Sequence, residues 1–206
     1  MKRVIDISHH NTIKSWDALA EKIDGVMIRI GHGKKGIDHK FEEHITEAKR
    51  VGIPYGFYLY SDIMSESELT DIFYEVERLK DVWLNYRSYF YRTPIAYDEE
   101  GSAGLPQLEQ MVGELMRVKP LVDSVMWYTG MARFNMSYPA KIRDELKENF
   151  ELWIARYNTK APDVFSTMWQ RSSSWKIESI SDGYIDMNYI SDAAFNFLFG
   201  LRKEFE

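Results

Sequence analysis

Hydrophobic positions along the chain follow two periods, one of two residues and one near 3.6, and they take turns. Val4-Ile5-Asp6-Ile7-Ser8 alternates, setting Val4, Asp6 and Ser8 on one face of a strand and Ile5 and Ile7 on the other. Ser15 is placed to cap a short helix carrying Trp16, Leu19 and Ile23, and residues 25–31 form a second buried strand. Phe41, Ile45, Ala48 and Val51 repeat at helical spacing. Residues 54–60 predict a third strand with Tyr58 and Tyr60 on one face. Ser65 and Glu68 have the spacing of a capping box ahead of a helix striped by Leu69, Ile72, Val76, Leu79 and Trp83. A fourth strand, 93–98, precedes a helix with Leu108, Met111, Val112 and Leu115 that Pro120 stops. Four strand–helix alternations predict a parallel sheet with covering helices.

Beyond Pro120 the rhythm changes. Residues 122–129 read as a strand and a helix is expected near 139–147. Three strand-like runs, 152–157, 164–170 and 184–188, then follow with only Pro, Ser, Gly and Lys-containing stretches between them, and a helix from about Asp192 closes the chain. The fold class is therefore α/β: an irregular (β/α) barrel of about five β/α units followed by three strands with few helices. No linker interrupts the sequence, so residues 1–206 are expected to form a single domain.

Composition narrows the function. The chain has 206 residues, 45% hydrophobic and 15% aromatic, and a net charge of −6, which argues against nucleic acid or an anionic membrane as partner. It has no cysteine, which excludes disulfides, thiol catalysis and cysteine-held metals. No apolar run approaches the roughly 20 residues of a membrane span, and the N-terminus lacks the apolar core of a signal peptide. A soluble monomer is expected, and action outside the cell would require another release route or a signal already removed.

The chemistry concentrates in Thr93-Pro94-Ile95-Ala96-Tyr97-Asp98-Glu99-Glu100-Gly101, where an apolar strand runs into three acids and a glycine. Asp98 and Glu100 share one face with Ala96, roughly 6–7 Å apart at the backbone, while Tyr97 and Glu99 share the other. Barrel active sites lie at the C-terminal strand ends. There the first strand brings Asp6, the fourth Asp98 and Glu100, and the last Asp186, flanked on its face by Tyr184 and Asn188. Acids are poor strand formers and costly to bury side by side, so the set points to a reaction rather than to structure. Glu100 is expected to titrate above Asp98 because a neighbouring carboxylate discourages the second ionisation. Tyr58, Tyr60, Trp127, Tyr128, Trp153, Tyr157 and Trp169 supply flat rings at the strand ends, a surface suited to sugars. Arg29, if it points inward, needs a carboxylate such as Asp6 or Asp98. No cofactor is expected. Two other readings stay open: a metal-dependent hydrolase using Asp6, His9 or His10, Asp98 and Glu100, although no H-x-H or H-E-x-x-H spacing occurs, and a sugar-binding protein on a hydrolase scaffold that has lost turnover.

The run Val4-Ile5-Asp6-Ile7-Ser8-His9-His10-Asn11 resembles the opening signature of the family 25 glycoside hydrolases, the N-acetylmuramidase lysozymes found among phage endolysins and bacterial autolysins. Further stations follow in order: Ile28-Arg29-Ile30-Gly31, Gly56-Phe57-Tyr58 with Tyr60-Ser61, Asp98 and Glu100, Tyr128-Thr129-Gly130, residues 152–157, Trp169-Gln170 and Asp186-Met187-Asn188-Tyr189. The resemblance implies hydrolysis of the β-1,4 bond between N-acetylmuramic acid and N-acetylglucosamine in peptidoglycan with retention of configuration, the substrate's own acetamido oxygen acting as nucleophile. It implies Glu100 as general acid and then base, Asp98 as the residue that orients the acetamido group, and Asp6 and Asp186 as the rest of a carboxylate floor. Substrate contacts are expected from Tyr58, Tyr60, Tyr128, Trp153, Tyr157, Trp169, Gln170 and Arg29. The chain departs from the family pattern at Glu99, where an apolar residue is usual, at His32-Gly33, where tyrosine is commoner, and at Arg171, where an aromatic is usual. A separate wall-binding module is not expected within these 206 residues.

Overall fold

The computed structural model describes residues 1–33, 35–66, 69–177 and 180–202. Glu68 of the expected capping box lies outside the described residues. In chain order the elements are β1 (Lys2–Ile7), β2 (Thr12–Ile13), α1 (Trp16–Ala20), β3 (Gly25–His32), α2 (Phe41–Val51), β4 (Tyr55–Tyr60), α3 (Leu69–Tyr86), β5 (Ile95–Asp98), α4 (Leu105–Val118), β6 (Val125–Gly130), α5 (Met131–Met136), α6 (Ala140–Asn149), β7 (Glu151–Ala155), β8 (Met168–Trp175), β9 (Ser181–Asp182), β10 (Ile185–Ile190) and α7 (Asp192–Phe199). Eight strands close a barrel in the order β1-β10-β8-β7-β6-β5-β4-β3, and β2 pairs with β9 beside it. Helices follow β1 (after β2), β3, β4, β5 and β6, no helix follows β7 or β8 among the described residues, and α7 follows β10 to close the chain. This is the irregular barrel that the sequence pattern predicts.

The sheet is mixed rather than all parallel. β10 runs antiparallel to both its neighbours, β1 and β8, while the other barrel pairings are parallel. The reason lies in chain length: residues 176–184 are too few for the dozen or more that a parallel crossover needs. Asp186 therefore lies near the start of its strand, not near the C-terminal end. Reversal of the strand brings it to the same rim, opposite Asp6 in the β1–β10 register. The strand expected at 164–170 is displaced to Met168–Trp175, because pairing with β10 extends it through the polar run Arg171 to Ser174, which carries no alternating pattern.

Two-residue periodicity divides the barrel interior into layers. Val4, Met27, Ala96, Met126, Met168 and Ile190 form a buried apolar layer at one end, continuous with Phe195, Leu198 and Phe199 of α7. α7 is capped by Ser191, whose Oγ accepts from Ala194 N at 3.1 Å, and Phe195 packs against Gly25 at the start of β3. That end of the barrel is sealed by hydrocarbon, each such side chain contributing about 1.5–3 kcal/mol on burial. The outward residues of the same strands, including Ile5, Ile28, Phe57, Trp127 and Ile154, pack under the helices in a second core. Two glycines are required by close approach. A Cβ on Gly56 would lie 2.6 Å from Met27 Sδ inside the barrel, and one on Gly101 would lie 2.7 Å from the Ile63 carbonyl where the chain turns after Glu100. Polar groups are thus left to the opposite end.

Candidate active site

Moving two residues along each strand from the apolar layer reaches Asp6, Arg29, Tyr58, Asp98, Tyr128, Gln170 and Asn188, whose side chains occupy the other end of the barrel. Trp153 rises between the layers. A cavity of about 330 Å³ opens there, walled by Asp6, Arg29, Tyr58, Tyr60, Asp98, Glu100, Tyr128, Trp153, Gln170 and Asp186. That volume suits one sugar ring and its substituents, at the small end of ligand pockets. All four carboxylates expected at the rim are assembled there.

Two of them sit in an amide cradle. Asp6 Oδ2 accepts from Asn188 Nδ2 at 2.7 Å and from Gln170 Nε2 at 3.2 Å, and Gln170 Nε2 also reaches Asp186 Oδ2 at 3.4 Å. The amide orientations are determined by their other partners. Asn188 Oδ1 accepts from Trp153 Nε1, a donor only, at 2.7 Å, and Gln170 Oε1 accepts from the hydroxyls of Tyr128 at 2.8 Å and Tyr157 at 2.9 Å. The NH2 groups must therefore face the acids. Burial first, and the charge of Asp186 next, push the Asp6 carboxyl well above its usual range, and burial raises Asp186 as well. The two acids are too close to ionise independently.

The second pair is Asp98 and Glu100 on the inner face of β5 and its continuation. Asp98 is 5% exposed, and its Oδ1 has no hydrogen-bond partner among the described residues. Burial pushes Asp98 well above the carboxylate range, helped by the charges of Glu100, Asp6 and Glu99. Glu100, open to the mouth of the cavity, is also raised, by the crowding of the cavity walls first, while the hydrogen bond it accepts from Asp98 opposes the rise. Both acids are thus raised, and burial rather than their mutual repulsion is the leading cause for each. The charges of neighbouring acids add to it.

Other expectations are corrected by side-chain direction. Arg29 lines the cavity, but its partner is neither Asp6 nor Asp98: Nε lies 3.1 Å from Asp38 Oδ2, and Nη2 lies 2.5 Å from His9 Nδ1. Trp169 faces outside the barrel, its Nε1 donating to the Arg156 carbonyl at 2.8 Å and its ring beside Tyr189, because Gln170 takes the inward position and neighbours alternate. Trp127 is likewise outward, buried under the helices with its Nε1 3.2 Å from the Tyr138 hydroxyl. Tyr157 is largely exposed, and its hydroxyl reaches the site on Gln170 Oε1. His10 shares the cavity with Asp6, Asp98 and Glu100, whereas His9 turns away to Asp38. Among the described residues the grouping of metal-type side chains is His9, Asp38 and His39, beyond the Arg29 guanidinium. Ser8, Asn11 and Tyr184 also wall the cavity. Tyr184 and Asn188 lie beside Asp186 as the strand periodicity places them, but Asp38 had no signal in its loop.

Glu99 points away from the cavity, as regular alternation requires. It is 1% exposed and is gripped by Arg133, Nε to Oε2 at 2.5 Å and Nη2 to Oε1 at 2.6 Å, with the Tyr138 hydroxyl also donating to Oε2.

The family model described as Glycosyl hydrolases family 25 matches residues 5–180. No curated protein matches the sequence. Among solved structures the chain is similar to the catalytic domain of endolysin ply40 from bacteriophage P40 of Listeria monocytogenes, with 24% identity over 96% of this chain and 97% of that one and a TM-score of 0.74. It is similar to the CTP1L endolysin at 20% identity over 96% and 69%, TM-score 0.77. The bacterial lysozyme from Streptomyces coelicolor aligns at 21% identity over 96% of each chain, TM-score 0.74. At these identities the solved structures speak for the barrel.

Proposed function

The chain belongs to glycosyl hydrolases family 25, and on that premise we propose that it is an N-acetylmuramidase cleaving the β-1,4 bond between N-acetylmuramic acid and N-acetylglucosamine in peptidoglycan, with retention of configuration. The observation that carries this reading is the Asp98–Glu100 pair: two carboxyls on one strand face, both raised, one fully buried with an unpartnered oxygen and the other open to an aromatic-walled cavity. Such a pair holds one proton between two sites of different depth, which suits acid chemistry near neutral pH.

In the resting site the two carboxyls share that proton. The acetamido N–H of a bound N-acetylmuramic acid would donate to Asp98, which favours the Asp98 anion and passes the proton to Glu100. Glu100 then protonates the glycosidic oxygen as the bond to the anomeric carbon breaks. The acetamido oxygen, oriented by Asp98, attacks that carbon from the opposite face. Water next attacks the same carbon, losing its proton to Glu100, and the cyclic intermediate opens with the original configuration. The substrate supplies the nucleophile, a recognised exception to the two-carboxylate scheme. Asp6 and Asp186 lie within the same field and favour the positive charge that develops on the ring. Tyr58, Tyr60, Tyr128 and Trp153 provide faces and hydroxyls for the sugar, and Arg29 and Gln170 provide donors at the wall. The substrate lies outside the cytoplasmic membrane, so the protein acts on the wall after release from the cell, as one barrel unit and as a monomer. Among the described residues no helix is long and apolar enough to cross a membrane.

The deciding experiment is digestion of purified peptidoglycan followed by mass spectrometry after borohydride reduction. N-acetylmuramitol at the new ends is expected. N-acetylglucosaminitol would refute the bond assignment, and intact glycan with retained binding would favour a sugar-binding protein.

A further inference from the structure

The outward face of β5 carries two buried groups that the reaction does not use. Tyr97 donates its hydroxyl to Glu75 of α3, which also accepts from Ser61 Oγ at 2.9 Å. Glu99 is tied to Arg133 of α5 and to Tyr138, and Tyr138 in turn lies 3.1 Å from Thr129 Oγ1 and 3.2 Å from Trp127 Nε1. The Glu99 amide donates to the Tyr128 carbonyl at 3.0 Å, so side chain and backbone anchor the same residue to the β6 side. An apolar side chain would fill this space beside Trp127 and Phe134 without the cost of desolvating a carboxylate and a guanidinium. What the ionic contact adds is geometry: a bidentate guanidinium–carboxylate pair fixes both planes, which van der Waals packing does not.

We infer that Glu99 is a positioning residue for the Asp98–Glu100 pair, its clamp to Arg133 and Tyr138 fixing the strand end from which both carboxyls enter the cavity. This rests on the muramidase reading for what the pair does, but not for the coupling itself. Asp98 and Glu100 are covalently adjacent to Glu99 on either side, so rotation of the Glu99 backbone moves both. The clamp also sets the charge behind the pair. Glu100 faces Asp98, Asp186, Tyr60 and Tyr128, and Glu99, whose charge helps to raise both Asp98 and Glu100, faces Arg133 and Tyr138, so the guanidinium opposes that charge where it arises.

The test is a carboxyl-resonance NMR titration of Glu100, which needs no substrate, alongside the pH dependence of peptidoglycan cleavage. Glu99→Gln leaves the Arg133 charge unbalanced and is expected to lower the Glu100 titration, and with it the alkaline limb of the rate profile, by about one pH unit, as a unit charge roughly 10 Å away does at an effective dielectric constant near 20. Arg133→Gln leaves the Glu99 charge and is expected to move both upward by a similar amount. The Glu99→Gln/Arg133→Gln double variant is expected to return the titration to its original place while kcat stays down roughly tenfold with KM unchanged, because the charge is balanced but the clamp is gone. Arg133→Lys, the variant least disposed to misfold, keeps the charge and is expected to lose kcat without moving the titration. Unmoved titrations in both single variants, or full kcat in the double variant, would overturn the proposal and leave Glu99 a structural residue. A wild-type protein that leaves peptidoglycan intact would refute the muramidase reading, while the carboxyl titrations would still decide the coupling.

Discussion

The rim of the barrel holds two pairs of acids built in opposite ways. Asp6 and Asp186 face each other across β1 and β10 inside a closed amide network, Trp153 to Asn188 to Asp6 to Gln170, with Tyr128 and Tyr157 behind it. Asp98 and Glu100 come from one strand and its continuation, and the oxygen Asp98 Oδ1 has no hydrogen-bond partner among the described residues. A satisfied carboxylate is held in place and resists change, whereas an unsatisfied one beside a cavity is disposed to meet a ligand or exchange a proton. The first pair is therefore suited to a fixed field and the second to chemistry.

The sharpest way to break this contrast is through activity. Glu100→Gln is expected to slow release of reducing ends from peptidoglycan by about 10²–10⁴-fold, the usual worth of a general acid, with the thermal midpoint unchanged or higher. Comparable rates in mutant and wild type would transfer the acid role elsewhere. Stability separates the pairs next. Asp6→Asn turns an amide against the amides of Asn188 and Gln170 and is expected to cost about 1–3 kcal/mol in urea unfolding. Asp98→Asn removes a buried, poorly partnered acid and is expected to be neutral or stabilising. Equal losses would show that the pairs are not built differently.

The pH dependence of stability sharpens the same point. All four acids have folded-state values above their unfolded ones, so their contribution is fully present below about pH 4 and is lost as pH rises through the raised values. Thermal midpoints should therefore fall between mildly acid and neutral pH, and fall less in Asp98→Asn. A midpoint that rises across that range in wild type alone would contradict the raised Asp98. The smallest effect is expected from Trp169: Trp169→Phe should leave cleavage within about twofold, since the ring lies outside the barrel, whereas Trp153→Phe loses the donor to Asn188 and should loosen the cradle. A large loss in the first and none in the second would reverse the assignment of faces.

Much of this site was legible in the sequence because strands obey a strict period. Asp6, Asp98, Glu100 and Asp186, with Tyr58 and Tyr128 beside them, follow from alternation once the strands are located, and the outward direction of Glu99 follows from the same rule. Trp169 shows how the reading fails: the motif Trp169-Gln170 marks a rim, but a shift of one residue decides which side chain enters the cavity, and only the pairing of β8 with its neighbours sets that. Arg29 fails differently, since Asp38 approaches it from a loop that has no period to read.

What the sequence by itself determined was the number of barrel strands, the absence of crossover helices between the last of them and the identity of the acids, all of them local consequences of side-chain spacing. Tertiary structure alone decided the reversal of β10, the partners of Arg29 and Glu99, and the depth at which each carboxyl sits. Depth has no local signature, because desolvation depends on every chain segment that closes around a group. It is depth that raises both Asp98 and Glu100 above the ordinary carboxylate range.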